Sequence, residues 1–122
     1  MVAIRPKIIV NYAENATMVV FTDEKILEDK DIKALQESIM SVIEQARGIK
    51  LILDFCNVRY LSSAVLGLLI RISKKVYEQD GRLKLCNINP KIYEIFKITR
   101  LTKVFDIYDN SQSAIDSLSA GQ

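Results

Sequence analysis

Histidine and tryptophan are absent from this 122-residue chain, and it holds only two cysteines, two prolines and four glycines. Each shortage closes off a class of chemistry. Without histidine there is no Ser-His or Cys-His nucleophile pair, no imidazole metal ligand and no phosphohistidine. Cys56 and Cys86 are too few for a structural zinc site. Each ends a strand-like run among apolar neighbours, where free cysteine is expected to act as a small hydrophobe. Gly48, Gly67, Gly81 and Gly121 form neither a GxxxxGK nor a GxGxxG loop, so no cradle of backbone amides for a nucleotide is expected. The paired acids Asp29 and Asp31 fall where a helix starts, which explains them without catalysis. No metal, no cofactor and no enzymatic activity are expected.

Long apolar runs are missing too. None approaches the roughly 20 residues of a membrane-spanning helix, and MVAIRPK lacks a leader pattern, so membrane insertion is not expected and a cytoplasmic location is. Seventeen basic residues are interspersed with fifteen acidic ones for a net charge of +2, which gives direct nucleic-acid binding little electrostatic support. Arg71, Lys74 and Lys75 read as the solvated face of a helix.

What is present is a regular alternation of strand and helix patterns. Residues 7–12 and 17–21 are β-rich and flank Ala-Glu-Asn-Ala, the pattern of an antiparallel hairpin. Asp31 offers an N-cap to a helix with Ile32, Leu35, Ile39, Val42, Ile43 and Ala46 at helical spacing, ended by Gly48. Residues 49–55 form a nearly continuous apolar strand of the kind buried on both faces. A helix over 62–79 buries Val65, Leu69, Ile72 and Val76. A strand at 82–86 leads into Asn89-Pro90, where proline favours a helix start for 90–98, with Ile92, Ile95 and Phe96 as core. A last strand spans 104–108, and Ser111 caps a short helix bearing Ala114, Ile115 and Leu118. Residues 119–122 are expected to fray. The architecture is α/β: a mixed β-sheet with an N-terminal antiparallel hairpin and helices packed against it.

The segment LILDFCNVRYLSSAVLGLLIRI concentrates the functional signal. A buried strand passes through a short loop into a helix that opens on Ser62 and Ser63. The first turn of a helix has unpaired amides and the positive end of the macrodipole, so a phosphate on such a serine is tolerated. It would add about 1.5–2 negative charges. The plainer role is capping, for which serine is among the best residues. Asp54 admits two readings: orienting the Ser62 loop or a partner's metal–nucleotide group, or accepting loop N–H bonds. Gly67 costs about 1 kcal/mol relative to alanine inside a helix, which implies close approach either within the chain or by a partner.

LDFCNVRYLSSAVLGLLIRI resembles the strand, loop, DSSG-type serine motif and helix of the STAS family, shared by bacterial anti-sigma-factor antagonists and sulfate transporters. GRLKLCNINPKIYEIFKITRLTKVFDIY is similar to that family's G-x-L-x-L strand, N-x-x-P turn and closing L-x-x-x-F-x-I strand. The likeness runs over about residues 7–118, so one STAS domain over 1–122 is expected. It implies that Ser62 is the phosphoacceptor, with Ser63 as the lesser candidate, and that the partner is an anti-sigma factor and serine kinase of the histidine-kinase-like ATPase type. Unphosphorylated antagonist binds that kinase, phosphorylation ends the binding, and a serine phosphatase restores it. Glu28, Ser63, Ala64, Gly67, Ile70 and Arg71 are the expected partner-binding residues. Leu61 stands where the motif has Asp, Ala64 where it has Gly, and Lys25-Ile-Leu-Glu28 replaces G-x-L-D. The competing expectation is a non-switching scaffold, either a subunit of a signalling assembly or an accessory protein of a membrane transporter.

Overall fold

A strand whose residues are apolar on both sides needs cover on both sides, and residues 51–53 meet that condition at the centre of the molecule. The computed structural model describes residues 6–120. β1 (Ile8–Ala13) and β2 (Ala16–Phe21) form the antiparallel hairpin around Glu14-Asn15, with Glu14 in the left-handed region at φ 55°. β3 (Lys25–Ile26) leads into α1 (Asp29–Glu44). β4 (Lys50–Asp54) and β5 (Tyr60–Leu61) precede α2 (Ser63–Glu78). β6 (Arg82–Cys86) precedes α3 (Pro90–Ile98), and a 3-10 turn at Leu101–Lys103, β7 (Asp106–Tyr108) and α4 (Ser111–Ala120) complete the order.

The main sheet runs β1-β2-β4-β6-β7 and is parallel except for the hairpin, while β3 and β5 pair separately in parallel. β4 is central, and Leu51, Ile52 and Leu53 are fully buried. Side chains alternate across a strand, and the two sides meet different partners. Leu51, Leu53, Leu83 and Leu85 pack with apolar residues of α1, α2 and α3. Ile52 and Cys86 pack with Ala114, Ile115 and Leu118 of α4.

Several elements depart from expectation. α1 starts at Asp29 behind Glu28, so Asp31 is not the N-cap; its carboxylate accepts from Lys7 Nζ at 3.1 Å. α1 ends at Glu44, leaving Ala46 exposed, and Gly48 at φ 76° instead carries the turn into β4. α2 buries Leu66, Leu68 and Ser73 beyond the expected stripe, because it packs against both the sheet and α1. Ile95 is exposed while Ile92 and Phe96 are buried. Val104 is exposed and Phe105 turns inward, its ring 6.2 Å from that of Phe96, which shortens the last strand to Asp106–Tyr108. Asn110 rather than Ser111 caps α4, accepting from Ser113 N at 2.8 Å. The helix continues through Ser119 and Ala120 rather than fraying. Residues 121–122 lie outside the described residues, as do residues 1–5, which were read for a leader.

Two glycines carry opposite constraints. A Cβ on Gly81 would stand 2.5 Å from the Ile49 carbonyl oxygen and 2.9 Å from Val76 Cγ1, whereas one on Gly67 would meet only Arg71 Nη1 at 3.6 Å. Urea denaturation should therefore show Gly81→Ala losing about 1–3 kcal/mol through overpacking, and Gly67→Ala gaining about 1 kcal/mol through helix propensity.

Candidate functional site

At Asp54 the chain leaves the sheet and must reach the start of α2 through residues 55–62. Apolar anchors hold the inner side of this connection: Phe55 and Val58 are buried, and the Phe55 ring lies 4.7 Å from that of Phe21. Polar side chains hold the rest. Asp54 is itself buried, and its Oδ1 accepts from Cys56 N at 2.9 Å and from Asn87 Nδ2 at 3.0 Å. Asn57 Nδ2 donates to the Phe21 carbonyl at 3.0 Å. Asn89 caps α3 by accepting from Ile92 N at 2.9 Å, and its amide nitrogen donates to the Val58 carbonyl at 3.2 Å. Of the two readings of Asp54, the loop-acceptor role is the one these bonds support, and it also fixes the path toward Ser62.

The final step is the short β3–β5 ladder, where Lys25 faces Tyr60 and Ile26 faces Leu61. The Ser62 N–H donates to the Ile26 carbonyl at 3.0 Å, and the Ser62 carbonyl accepts from Val65 N at 3.0 Å. Ser62 thus occupies the N-cap of α2 in extended backbone, at φ −87° and ψ 163°. Its side chain makes no capping bond, which corrects the plainer expectation: Oγ is buried and, among the described residues, meets no hydrogen-bond partner. A buried hydroxyl left unsatisfied costs about 1–3 kcal/mol, so this position is not optimised for stability.

The other expected residues spread over the outer face of α2. Ser63 and Ala64 are exposed in its first turn, Gly67 is half-buried and Ile70 is 48% exposed. Arg71 is also exposed but engaged, its Nε and Nη2 donating to Gln36 Oε1 of α1 at 3.1 and 2.9 Å. Glu28 lies two residues beyond the Ile26 carbonyl that holds Ser62, and pairs with Lys30 at 3.5 Å. Lys74 is solvated as expected and Lys75 is half-buried. Three loop asparagines, Asn57, Asn87 and Asn89, escaped assignment as site residues. Their signal was a cluster of amides at the carboxyl ends of two buried strands, including Asn87 at φ 58°, a conformation asparagine tolerates better than most residues.

The two cysteines differ. Cys86 is buried, and Cys56 is exposed in the loop rather than packed among apolar neighbours. Burial first, and then the Asp54 carboxylate, push the Cys86 thiol up to about 12. Burial and then the Asp54 carboxylate raise Cys56 as well. Among the described residues no group of three or more Cys, Asp or Glu side chains is arranged to hold a metal ion, and no helix is long and apolar enough to cross a membrane.

The profile of the STAS domain matches residues 10–114. The chain is 31% identical over 81 residues to the anti-sigma-B factor antagonist of Bacillus subtilis (strain 168), covering 66% of this chain and 72% of that protein. It is 26% identical over 68 residues to the anti-sigma F factor antagonist of Paenibacillus polymyxa, covering 56% of this chain and 58% of that relative's length. The structure of an anti-sigma-factor antagonist (STAS) domain protein from Planctomyces limnophilus superposes with a TM-score of 0.85 at 21% identity, over 93% of this chain and 98% of that one. This last likeness is one of fold.

Two measurements test the geometry. Ser62→Ala should leave the unfolding free energy unchanged or raise it, whereas a capping serine would lose about 1 kcal/mol; Asn89→Ala, which removes a cap and a loop tie, should lose at least that amount. Iodoacetamide labelling of the native protein at pH 8 should modify Cys56 and spare Cys86, which reacts only after denaturation.

Proposed function

The chain belongs to the STAS domain family, and we propose that it is an anti-sigma-factor antagonist that works by partner switching, with Ser62 as the switch. In this reading the unphosphorylated face around Ser63, Ala64, Gly67, Ile70 and Arg71, with Glu28 beside it, binds an anti-sigma factor that is also a serine kinase of the histidine-kinase-like ATPase type. The kinase transfers the γ-phosphoryl group of its ATP to Ser62 Oγ, leaving ADP, while the hydroxyl proton passes to a base. Binding then ends, and a serine phosphatase reverses the modification. The cytoplasm is where such a circuit would operate, and the protein itself catalyses nothing.

The observation that carries this reading is the unpartnered Ser62 hydroxyl on a clamped helix start. Turning Oγ outward breaks no hydrogen bond among the described residues, so presenting it to a kinase costs little beyond a rotamer change. Once added, the phosphate lies beside the first-turn amides of Ser63 and Ala64, which have no carbonyl one turn earlier, at the positive end of α2. The fold therefore tolerates the dianion. A partner surface matched to a neutral, partly apolar face does not, because it must desolvate that charge or place it against its own acids.

Gly67 adds to the reading. A Cβ there meets nothing closer than 3.6 Å within the chain, so internal packing does not require glycine, and close approach by a partner's backbone supplies a reason for it. The non-switching scaffold draws support from two features: Ser62 Oγ is buried, and the preceding Leu61 is apolar where the family motif has a carboxylate.

Tagged wild-type protein incubated with native lysate should retain an ATPase-type kinase, identified by mass spectrometry, that Ser62→Asp loses. With the purified kinase, Ser62→Asp should bind at least tenfold more weakly. Gly67→Ala should also bind more weakly despite its greater stability. Equal recovery of assembly or transporter subunits by wild type and Ser62→Asp would instead support the scaffold.

A further inference from the structure

Beside the Ser62 loop, outside the proposed switch face, lies a cleft of about 360 Å³. Its apolar lining is aliphatic apart from one ring: Leu27, Leu61, Ile92 and Ile95, with Tyr60. Leu27 is 48% exposed, Tyr60 50% and Ile95 36%, so the cleft leaves three large apolar side chains in contact with water.

The remaining lining residues are Lys25, Arg59 and Lys91, all cations, and no carboxylate lines the cleft. Arg59 is partly neutralised by Glu24, 3.6 Å away. Lys25 Nζ stands over the Tyr60 ring, 5.6 Å from its centroid. Lys91 sits in the first turn of α3, a turn that contains no acid, so the positive end of that helix adds to the same field. In a chain whose net charge is only +2, the charged residues lining this aliphatic hollow are all cations.

From this combination we infer that the cleft binds a small amphipathic anion, an aliphatic chain ending in a carboxylate. The chain lies on Leu27, Leu61, Ile92 and Ile95, and the carboxylate meets Lys25 and Lys91 at the rim. The volume is at the low end for small-ligand sites, which suits a single medium-length chain. Half of the lining is preformed, since Lys25, Tyr60 and Leu61 belong to the β3–β5 ladder and Ile92 is buried in the core. Nothing in this inference requires Ser62 to be phosphorylated, and it stands if the switch fails.

The test is titration of the isotopically labelled full chain with decanoate below its micellar concentration, followed by amide NMR, with decanol as the uncharged control. Saturable shifts confined to residues 25–27, 59–61 and 91–95 are expected, with decanol at least tenfold weaker. Lys91→Glu and Ile95→Glu alter exposed side chains, and both should fold as wild type by circular dichroism while binding decanoate at least tenfold more weakly. Absence of saturation, shifts scattered over the surface, equal binding of decanol or undiminished binding by both variants would overturn the proposal. So would shifts at these residues that depend on protein concentration alone, which would assign the cleft to a second copy of the chain.

Discussion

The site depends on one buried carboxylate. Asp54 ends the central strand, and its Oδ1 accepts from the loop amide of Cys56 and from the side chain of Asn87 at the end of the neighbouring strand. Hydrogen bonds to a charged acceptor contribute about 1.5–3 kcal/mol each, and here they couple two strand ends to one loop. The ties made by Asn57 and Asn89 and the short β3–β5 ladder then carry that order forward to Ser62. This fixed exit from the sheet acts together with the Ser62 N–H bond to the Ile26 carbonyl and the packing of α2 on α1 to set where α2 starts.

Under the proposed function, this arrangement separates the part that holds shape from the part that would change charge. The clamp lies behind Ser62, made of backbone bonds and buried side chains, while the outer face of α2 presents small residues and an exposed isoleucine. A modification at the helix start can alter what that face offers a partner while leaving the sheet and core untouched. The orphaned hydroxyl fits the pattern of a residue retained for something other than stability, because a buried polar atom without a partner is a standing cost.

Much of the fold was legible from periodicity. The apolar run at residues 49–55 marked a strand buried on both faces, and the four-residue stripe of α2 marked its inner side. Asn89-Pro90 marked the start of α3 through a proline at the first helical position, while the Asn89 cap emerged only from the structure. What stayed hidden depended on tertiary partners. Two-residue strands such as Lys25–Ile26 and Tyr60–Leu61 have no periodicity to detect. Asp31 carried a capping signal but pairs with Lys7, distant in sequence. At the site, the position of Ser62 followed from strand, loop and helix patterns, but the orientation of its Oγ is set by packing and left no trace in the sequence. The cationic apolar cleft was equally invisible, since its residues come from three separate stretches of chain.

The central claim is that Ser62 is the position where this protein's state is written. The most direct test is phosphopeptide mapping of the protein isolated from its native cells, comparing conditions that change the partner's activity. The account predicts a phosphate on Ser62 whose occupancy varies between conditions, with Ser63 unmodified. Phosphate at Ser63 instead, or an unmodified Ser62 under every condition in which the partner kinase is active, would contradict it.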